Sequence, residues 1–380
     1  MNNTIIEKIK DIETPFYLYN TKILNETLNS IQKEAKKYNF IVHYALKANA
    51  NKKLLEIIRN YDFGADCVSG NEIQRAINTG FSKENIVYAG VGKSDKEISL
   101  AIDNNIYCFN CESEHEIEII NNIAANKGKI ATIALRINPN IDANTHHYIT
   151  TGIEENKFGI NIYQLDDIIS KLKNQHNIKL IGLHFHIGSQ IRDFMVFKNL
   201  CLKINKIQKL FIERNIYISD INVGGGLGID YENPENITKT NFHDYFKIFN
   251  DFLELLPKQK VHFELGRSVV AQCGSLITKV LYIKKGVKTN FAIVDAGMTE
   301  LIRPALYQAY HKIDNLSSNL NKKKYDIVGP ICESADYFGK AIDLHETKRN
   351  DLIIIHSSGA YGQSMASQYN LRDLVRDYYI

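Results

Sequence analysis

The chain has 380 residues, 44% hydrophobic and 23% charged, which is typical of a globular protein with two domains or a barrel with an extension. Its formal net charge of +3 gives no reason to expect nucleic acid or an anionic membrane as a partner. The first twenty residues lack the apolar core of a signal peptide, and no run of about 18 apolar residues predicts a transmembrane helix. We therefore expect a cytoplasmic protein.

Up to about residue 268, short apolar runs alternate with helix-like segments. This order predicts parallel strands joined by right-handed crossovers. About eight such units favour a closed eightfold (β/α)8 TIM-type barrel, although a doubly wound open sheet fits the same rhythm. The predicted strands are 42–47, 62–68, 86–90, 106–111, 133–138, 181–187, 218–224 and 261–265. The predicted helices are 52–60, 71–79, 95–103, 113–126, 162–173, 194–214 and 241–255.

The pattern then changes to strands without intervening helices, which predicts a mostly antiparallel β domain. The segment Phe16–Tyr19 is expected to add a strand to it. We place residues 22–268 in the barrel and residues 1–21 with 269–380 in the β domain. The later strands are predicted at 269–280, 281–288, 291–295, 324–328 and 352–356.

Unusual residues fall at or just after the ends of the predicted barrel strands. In an eightfold barrel these strand ends converge on one face, where active sites lie, whereas in an open sheet the outer ones could not meet. The sequence therefore predicts one site assembled from six strand ends. The residues are Lys47, Asp66, Arg136, His186, Gly224 to Gly226, and Glu264.

Lys47 ends the first of these strands, within His43-Tyr-Ala-Leu-Lys-Ala-Asn-Ala-Asn51. A bare charge at the end of a buried strand is costly. A lysine there is accounted for if its amine forms a Schiff base with a carbonyl cofactor. The alternative is an ordinary lysine with its ammonium in water.

The segment Val223-Gly-Gly-Gly-Leu-Gly228 follows the seventh strand. Consecutive glycines let backbone N–H groups approach an anion, and barrel loops after strands seven and eight commonly bind phosphate. Arg267 would add a charged donor. The alternatives are a tight turn and a surface arginine.

His184 and His186 are two apart on one strand and therefore face the same side. They are interpreted as a metal pair, as an aromatic ring stacked on a flat cofactor, or as buried structural histidines. Stacking is favoured, with Ser189 able to reach a phosphate. Glu264 could pair with a protonated ring nitrogen, or serve as a helix cap or a salt-bridge partner.

The β domain carries its own candidates. Cys332 and Glu333 are adjacent, which suits a proton-donating thiol beside a carboxylate for a substrate cation. Arg303 and Tyr307 suit a carboxylate. Tyr361 is a candidate phosphate donor.

Within the barrel range, the pair Cys108 and Cys111 has CxxC spacing, but no second pair completes a zinc site. We interpret both as strand and loop cysteines and predict no metal. A redox or metal role is the alternative.

Taken together, these motifs resemble the fold-type III pyridoxal-phosphate decarboxylases, most closely the diaminopimelate decarboxylase subfamily. The resemblance runs from Thr14-Pro-Phe-Tyr-Leu-Tyr19 to the C-terminus and includes the loop at 145–159. Two positions depart from the family pattern: Leu265 replaces a proline, and Ala335 replaces a glycine. Neither change removes a reacting group.

The resemblance implies pyridoxal 5'-phosphate as cofactor and the conversion of meso-2,6-diaminopimelate to L-lysine and carbon dioxide, the last step of lysine biosynthesis, by a homodimer with shared sites. Alternatives are decarboxylation of another basic amino acid or of carboxynorspermidine, a racemase, a non-catalytic pyridoxal-phosphate-binding protein, and a barrel that binds phosphate ligands. The implied catalytic residues are Lys47, Cys332, His186 and Glu264. The implied cofactor ligands are Lys47, Asp66, His186, Ser189, Gly224, Gly225, Gly226, Glu264, Gly266, Arg267 and Tyr361. The implied substrate ligands are Arg267, Arg303, Tyr307, Glu333 and Tyr361.

Overall fold

The structure is a computed structural model that describes residues 3–141, 157–235 and 240–380. Its contacts divide the chain into two compact units. The first comprises Leu28–Gly228 and Asn241–Gly266, and the second comprises Met1–Thr27, Ile229–Thr240 and Arg267–Ile380. None of the helices in the described ranges has the length and apolar character needed to span a membrane.

The helices and strands follow the chain in the predicted alternation. The strands are β1 Phe16–Tyr19, β2 Ile41–Ala45, β3 Gly64–Cys67, β4 Ile86–Tyr88, β5 Cys108–Cys111, β6 Ala131–Asn138, β7 Ile160–Asn161, β8 Ile178–His184, β9 Asp220–Asn222, β10 Lys260–Leu265, β11 Gly274–Lys285, β12 Asn290–Val294, β13 Ile313–Asn315, β14 Lys322–Val328, β15 Tyr337–His345, β16 Leu352–Ile355 and β17 Arg376–Tyr379. The α-helices are α1 Asn3–Ile9, α2 Thr21–Lys36, α3 Lys52–Ile58, α4 Gly70–Thr79, α5 Asp95–Asp103, α6 Glu114–Asn126, α7 Leu165–Leu172, α8 Phe194–Glu213, α9 Phe242–Phe252, α10 Arg267–Val270 and α11 Arg303–Tyr307.

Eight parallel strands of the first unit close into a barrel. Their order is β2-β3-β4-β5-β6-β8-β9-β10, and β10 pairs back to β2. This confirms the predicted (β/α)8 fold. In such a barrel the active site lies at the C-terminal ends of the strands.

Serine caps begin three consecutive barrel helices. The side chains of Ser69, Ser94 and Ser113 accept hydrogen bonds from the backbone N–H groups three residues later. Each serine is followed at that spacing by a glutamate, which is the sequence signature of a helix start. The serine caps therefore fix where the loops after β3, β4 and β5 end and where the helices α4, α5 and α6 begin.

Strand β10 alternates between the two faces of the barrel wall. The Phe263 ring packs 4.9 Å from the Phe246 ring and 5.0 Å from the Phe249 ring of helix α9. Its neighbours His262 and Glu264 therefore point to the opposite side, into the barrel interior. The outward aromatic cluster fixes the inward direction of Glu264.

The second unit is a mostly antiparallel sheet, in the order β13-β16-β11-β12-β14-β15, with β1 pairing β11 and β17. The predicted strand at Phe16–Tyr19 is confirmed. The predicted strands 269–280 and 281–288 are wrong in detail, because Arg267–Val270 is helical and Gly274–Lys285 is one continuous strand. Short apolar runs such as Val269 and Val270 do not distinguish a buried helix from a strand.

A chain of buried polar groups crosses the barrel interior between β2, β10 and β9. His43 Nδ1 lies 3.1 Å from the Asn85 carbonyl oxygen, and His43 Nε2 lies 2.9 Å from His262 Nδ1. His262 Nε2 lies 2.8 Å from an Asp220 carboxylate oxygen. The Asn85 carbonyl oxygen and the Asp220 carboxylate, at the two ends of this series of contacts, can only accept hydrogen bonds. Each ring nitrogen that faces one of them must therefore carry a hydrogen. The two rings and the Asp220 carboxylate therefore form one continuous buried hydrogen-bonded chain.

We expect the protein to lose stability as the pH falls below about 6.5. Burial, and then the charge of His262, lower the pKa of His43 from 6.5 to about 3. Between these values the unfolded chain binds a proton at this position and the folded chain does not, so unfolding is favoured by about 1.4 kcal/mol per pH unit. Urea unfolding of His43→Gln should show a shallower pH slope than the parent. The same substitution at exposed His176 is the control, and equal slopes in parent and His43→Gln would contradict this assignment.

Candidate active site

Lys47 lies at the C-terminal end of β2, in a turn of 3-10 helix at Leu46–Ala48. Its Nζ is 3.6 Å from a carboxylate oxygen of Asp66, which is fully buried on β3. Burial, and then the charge of Glu264, raise the pKa of Asp66 to about 7, although Lys47 acts in the opposite direction. The strand end thus pairs an amine with a buried carboxyl group that titrates near neutral pH.

The Glu264 carboxylate is held by three donors. Asn110 Nδ2 and Asn222 Nδ2 donate to Oε1 over 3.0 Å and 2.7 Å, and His184 Nε2 lies 2.9 Å from Oε2. Burial acts to raise the pKa of Glu264, but the interaction with His184 and the charge of Lys47 outweigh it and lower the pKa below its usual range. Glu264 is therefore an ionised carboxylate inside the barrel.

His186 follows the end of β8 by two residues. Burial, and then the positive charges of Lys47 and Arg136, lower its pKa well below the usual value for histidine. The ring is therefore neutral at neutral pH, and its Nδ1 accepts from the backbone N–H of Gly225 over 3.3 Å. A flat neutral ring at this position can stack on a planar ligand.

The loop after β9 has no room for side chains at its glycines. Gly224 and Gly226 have φ of +70° and +98°, values that L-residues with side chains rarely adopt. A Cβ on Gly225 would lie 2.0 Å from the Glu264 carbonyl oxygen. Only glycine fits, so backbone N–H groups form this part of the surface. Two further predicted cofactor residues close to strand ends are the half-buried Ser189 and the buried Gly266.

The second unit contains two buried arginines around one tyrosine. Arg267 Nη1 donates to the Tyr231 hydroxyl oxygen over 2.8 Å, and the Arg303 guanidinium carbon lies 4.9 Å from the centre of the Tyr231 ring. Arg303 Nη1 donates to His311 Nε2 over 2.8 Å, and the Tyr361 ring centre lies 4.9 Å from the Arg267 guanidinium carbon. Two guanidinium groups with neutral partners at these contacts are suited to bind an anion.

Cys332 and Glu333 lie in an exposed loop of the same unit. The Cys332 backbone N–H donates to the Asn370 side-chain oxygen over 3.3 Å, and the Tyr369 hydroxyl donates to Glu333 over 2.7 Å. Ala335 does not have a positive φ. The alanine that replaces the family's glycine therefore adds no backbone strain.

The predicted residues fall into three groups. Lys47, Asp66, His186 and Glu264 gather in the barrel unit. Arg267, Arg303 and Tyr361 gather in the second unit, where Tyr307 ends helix α11, and Cys332 with Glu333 forms a separate loop there. The motif at 145–159 is described only from residue 157 onward, and residues 145–156 lie outside the described ranges.

Four residues that bind the predicted site residues were not themselves predicted: Asn110, Asn222, Tyr231 and His311. A signal existed for the two asparagines, because asparagine is depleted in strand interiors. The described ranges contain no cluster of three or more histidine, cysteine or acidic residues suited to a metal ion. Cys108 and Cys111 are buried free thiols at the two ends of β5.

Comparison with known proteins identifies the family. A model of the family described as "Pyridoxal-dependent decarboxylase, pyridoxal binding domain" matches residues 22–271. The diaminopimelate decarboxylase of Bacteroides thetaiotaomicron is 55% identical over 374 residues, which cover 98% of this chain and 97% of the relative.

Solved structures agree with that assignment. The crystal structure of diaminopimelate decarboxylase from Helicobacter pylori, complexed with L-lysine, has a TM-score of 0.93 and 41% identity, and the match covers 99% of this chain and 94% of that one. The corresponding structure from M. jannaschii, also with L-lysine, has a TM-score of 0.90 and 34% identity over 99% of this chain and 89% of that one. The predicted family is confirmed: the chain belongs to the diaminopimelate decarboxylases, within the pyridoxal-dependent decarboxylase family.

Proposed function

We propose that this protein converts meso-2,6-diaminopimelate to L-lysine and carbon dioxide with pyridoxal phosphate as cofactor, as a cytoplasmic homodimer. The observation that carries the proposal is the gathering of Lys47, Asp66, neutral His186 and ionised Glu264 at one end of the barrel. Relatives crystallised with L-lysine support the identity of the product.

The barrel residues fit this cofactor. Buried polar atoms of Asp66, Asn110 and His184 have no hydrogen-bond partner within the described ranges, which suits a polar ligand in the barrel. Lys47 supplies an amine for its aldehyde, and the glycine loop supplies backbone N–H groups for its phosphate. When bound, the cofactor supplies a ring that accepts the electron pair left as carbon dioxide departs.

Each barrel residue then has one task. Glu264 would hold a proton at the ring nitrogen, because an ionised carboxylate stabilises a positive ring. His186 would stack on the ring and orient it. Arg267 and Tyr361 would be further donors to the phosphate.

The residues of the second unit that we assign to the substrate bind its distal charges and supply the proton that returns to Cα. Glu333 binds the distal ammonium group, while Arg303 and Tyr307, with Arg267, bind the distal carboxylate. Cys332 returns a proton to Cα after the carboxylate has left. A site that pairs both distal charges discriminates strongly against a substrate lacking them, because its own groups would stay unpaired.

A second copy of the chain would complete the site. The Tyr369 hydroxyl contacts Glu333, and the Tyr369 side chain is 48% exposed. The chain that follows it exposes two further hydrophobic side chains, Leu371 at 97% and Leu374 at 58%. An exposed apolar surface beside reacting groups marks an interface. A partner subunit would cover it and exclude water from the charged substrate.

Mixing two inactive variants tests the shared site. Lys47→Ala chains and Cys332→Ala chains should restore activity when subunits exchange, because each mixed dimer has one site with Lys47 from one chain and Cys332 from the other. At random pairing about half the dimers are mixed, so about a quarter of the parental sites return. The matched control is Lys47→Ala with Glu264→Gln, which both damage the barrel side and should not complement. If mass spectrometry shows that the subunits have exchanged but no activity is recovered, the shared site is refuted.

The activity itself is tested by carbon dioxide release. The purified protein is incubated with pyridoxal phosphate and a panel of diamino acids, including carboxynorspermidine. We expect release from meso-diaminopimelate, with L-lysine as the product. Preferential release from another member of the panel would favour a related decarboxylase, and cofactor binding without release would indicate a non-catalytic protein.

A further inference from the structure

One cross-section of the barrel interior is polar where such barrels are usually apolar. It contains Asp66 of β3, Asn110 of β5, His184 of β8 and Glu264 of β10, all at most 5% exposed. These are four alternate strands, and each layer of a TIM-type barrel takes its four side chains in that way. A buried polar layer is costly unless its members bind each other or a ligand.

The contacts to Glu264 come from opposite walls of the barrel. Strand β5 lies four strands from β10 in either direction around the barrel, so Asn110 reaches Glu264 across the interior over 3.0 Å. Asn222 comes from the adjacent strand β9 and reaches the same oxygen over 2.7 Å. The two amides therefore anchor Oε1.

His184 binds the other oxygen. Its Nε2 is 2.9 Å from Oε2, and an ionised carboxylate only accepts, so this nitrogen carries the hydrogen. His184 Nδ1 has no hydrogen-bond partner within the described ranges. The imidazole therefore directs its donor toward Glu264, and losing it would remove a charge-assisted hydrogen bond from Oε2.

We propose that His184 is a positioning residue that keeps the Glu264 carboxylate ionised and oriented, so that the proton at the cofactor's ring nitrogen stays on the ring. This deepens the proposed function and rests on it. His184 touches neither the substrate nor the cofactor in this role and acts through Glu264. The metal-pair and stacking interpretations of His184 are replaced by this one.

The test compares His184→Leu with His184→Gln in the holoenzyme. Leucine fills a similar volume without a donor, whereas glutamine can place an amide N–H near the Nε2 position. We expect kcat of His184→Leu to fall by roughly ten- to a hundredfold with KM changed less than about twofold, because a hydrogen bond to a charged group is lost. His184→Gln should recover most of the rate.

Infrared difference spectra supply a readout that does not depend on turnover. At neutral pH the spectrum of the His184→Leu holoenzyme minus that of the parent should show one additional protonated carboxyl band, beyond the contribution of Asp66 that both proteins share. The same difference spectrum of His184→Gln should lack this band. The band should disappear in the His184→Leu, Glu264→Gln double variant. If His184→Leu does not fold, the shorter amide of His184→Asn, which falls short of Oε2, is measured instead.

Two results would overturn the proposal. One is a His184→Leu enzyme with parental kcat and no additional carboxyl band. The other is equal loss of rate in the leucine and glutamine variants without the band, which would mean that His184 only supports the fold. If the parent releases no carbon dioxide from diaminopimelate, the proposed function fails, while the infrared comparison still decides the role of His184.

Discussion

Lys47→Ala is expected to abolish turnover and the visible absorbance of the protein-bound cofactor. In the proposed function the amine of Lys47 would be the covalent tether of the cofactor and would also be the group that exchanges with the substrate amine. In the structure this amine lies 3.6 Å from Asp66 at the barrel end. The measurement is the absorbance spectrum of the purified variant with added pyridoxal phosphate, together with carbon dioxide release.

Lys52→Ala is the matched control for this substitution. Lys52 lies five residues further along the chain, at the start of α3, with a side chain that is 69% exposed. We expect this variant to keep both the absorbance and the activity. Borohydride reduction followed by peptide mapping should locate the adduct on Lys47 in the parent. A reducible adduct on another lysine of Lys47→Ala would refute the assignment.

Glu264→Gln is expected to leave the cofactor bound but to slow decarboxylation by roughly a hundredfold or more, the scale of losing one preorganised electrostatic partner. The neutral amide cannot stabilise a proton on the ring nitrogen. It would also present one N–H group to the donors that now hold the carboxylate, namely the side chains of Asn110, Asn222 and His184.

Glu116→Gln is the control for loss of a buried carboxylate. Glu116 is largely buried and pairs with Lys93, and it is not among the residues assigned to the cofactor or the substrate. Steady-state kinetics and cofactor titration of both variants separate binding from rate. A near-parental rate in Glu264→Gln would show that the ring nitrogen has a different partner.

Local sequence signals predicted the barrel strands and the helices that follow them. Each barrel strand is a short apolar run with a helix signal behind it, and the serine-to-glutamate spacing at Ser69, Ser94 and Ser113 begins three of those helices. Such signals are local because they depend on side chains a few residues apart. Helix α2 was not predicted, although Thr21–Lys36 forms 16 residues of helix.

Local signals were ambiguous where an apolar run is short or a strand is long. The run around Val269 reads equally as strand or buried helix, and burial inside the second unit selects the helix Arg267–Val270. The sequence predicts two strands, at 269–280 and 281–288, where the structure has the single strand Gly274–Lys285. Its pairing with both β16 and β12, through an irregularity between Val280 and Tyr282, keeps it continuous.

The sequence by itself determined the fold class, the family motifs and the candidate reacting groups, because these depend on residue type, order and short spacing. Only the tertiary structure decided what surrounds Glu264. Asn110 is 154 residues away from it and lies on the opposite wall, and His184 is 80 residues away. No periodicity links such positions. Closure of eight strands into one barrel brings their side chains within hydrogen-bond distance, where burial makes each contact matter more than it would in water.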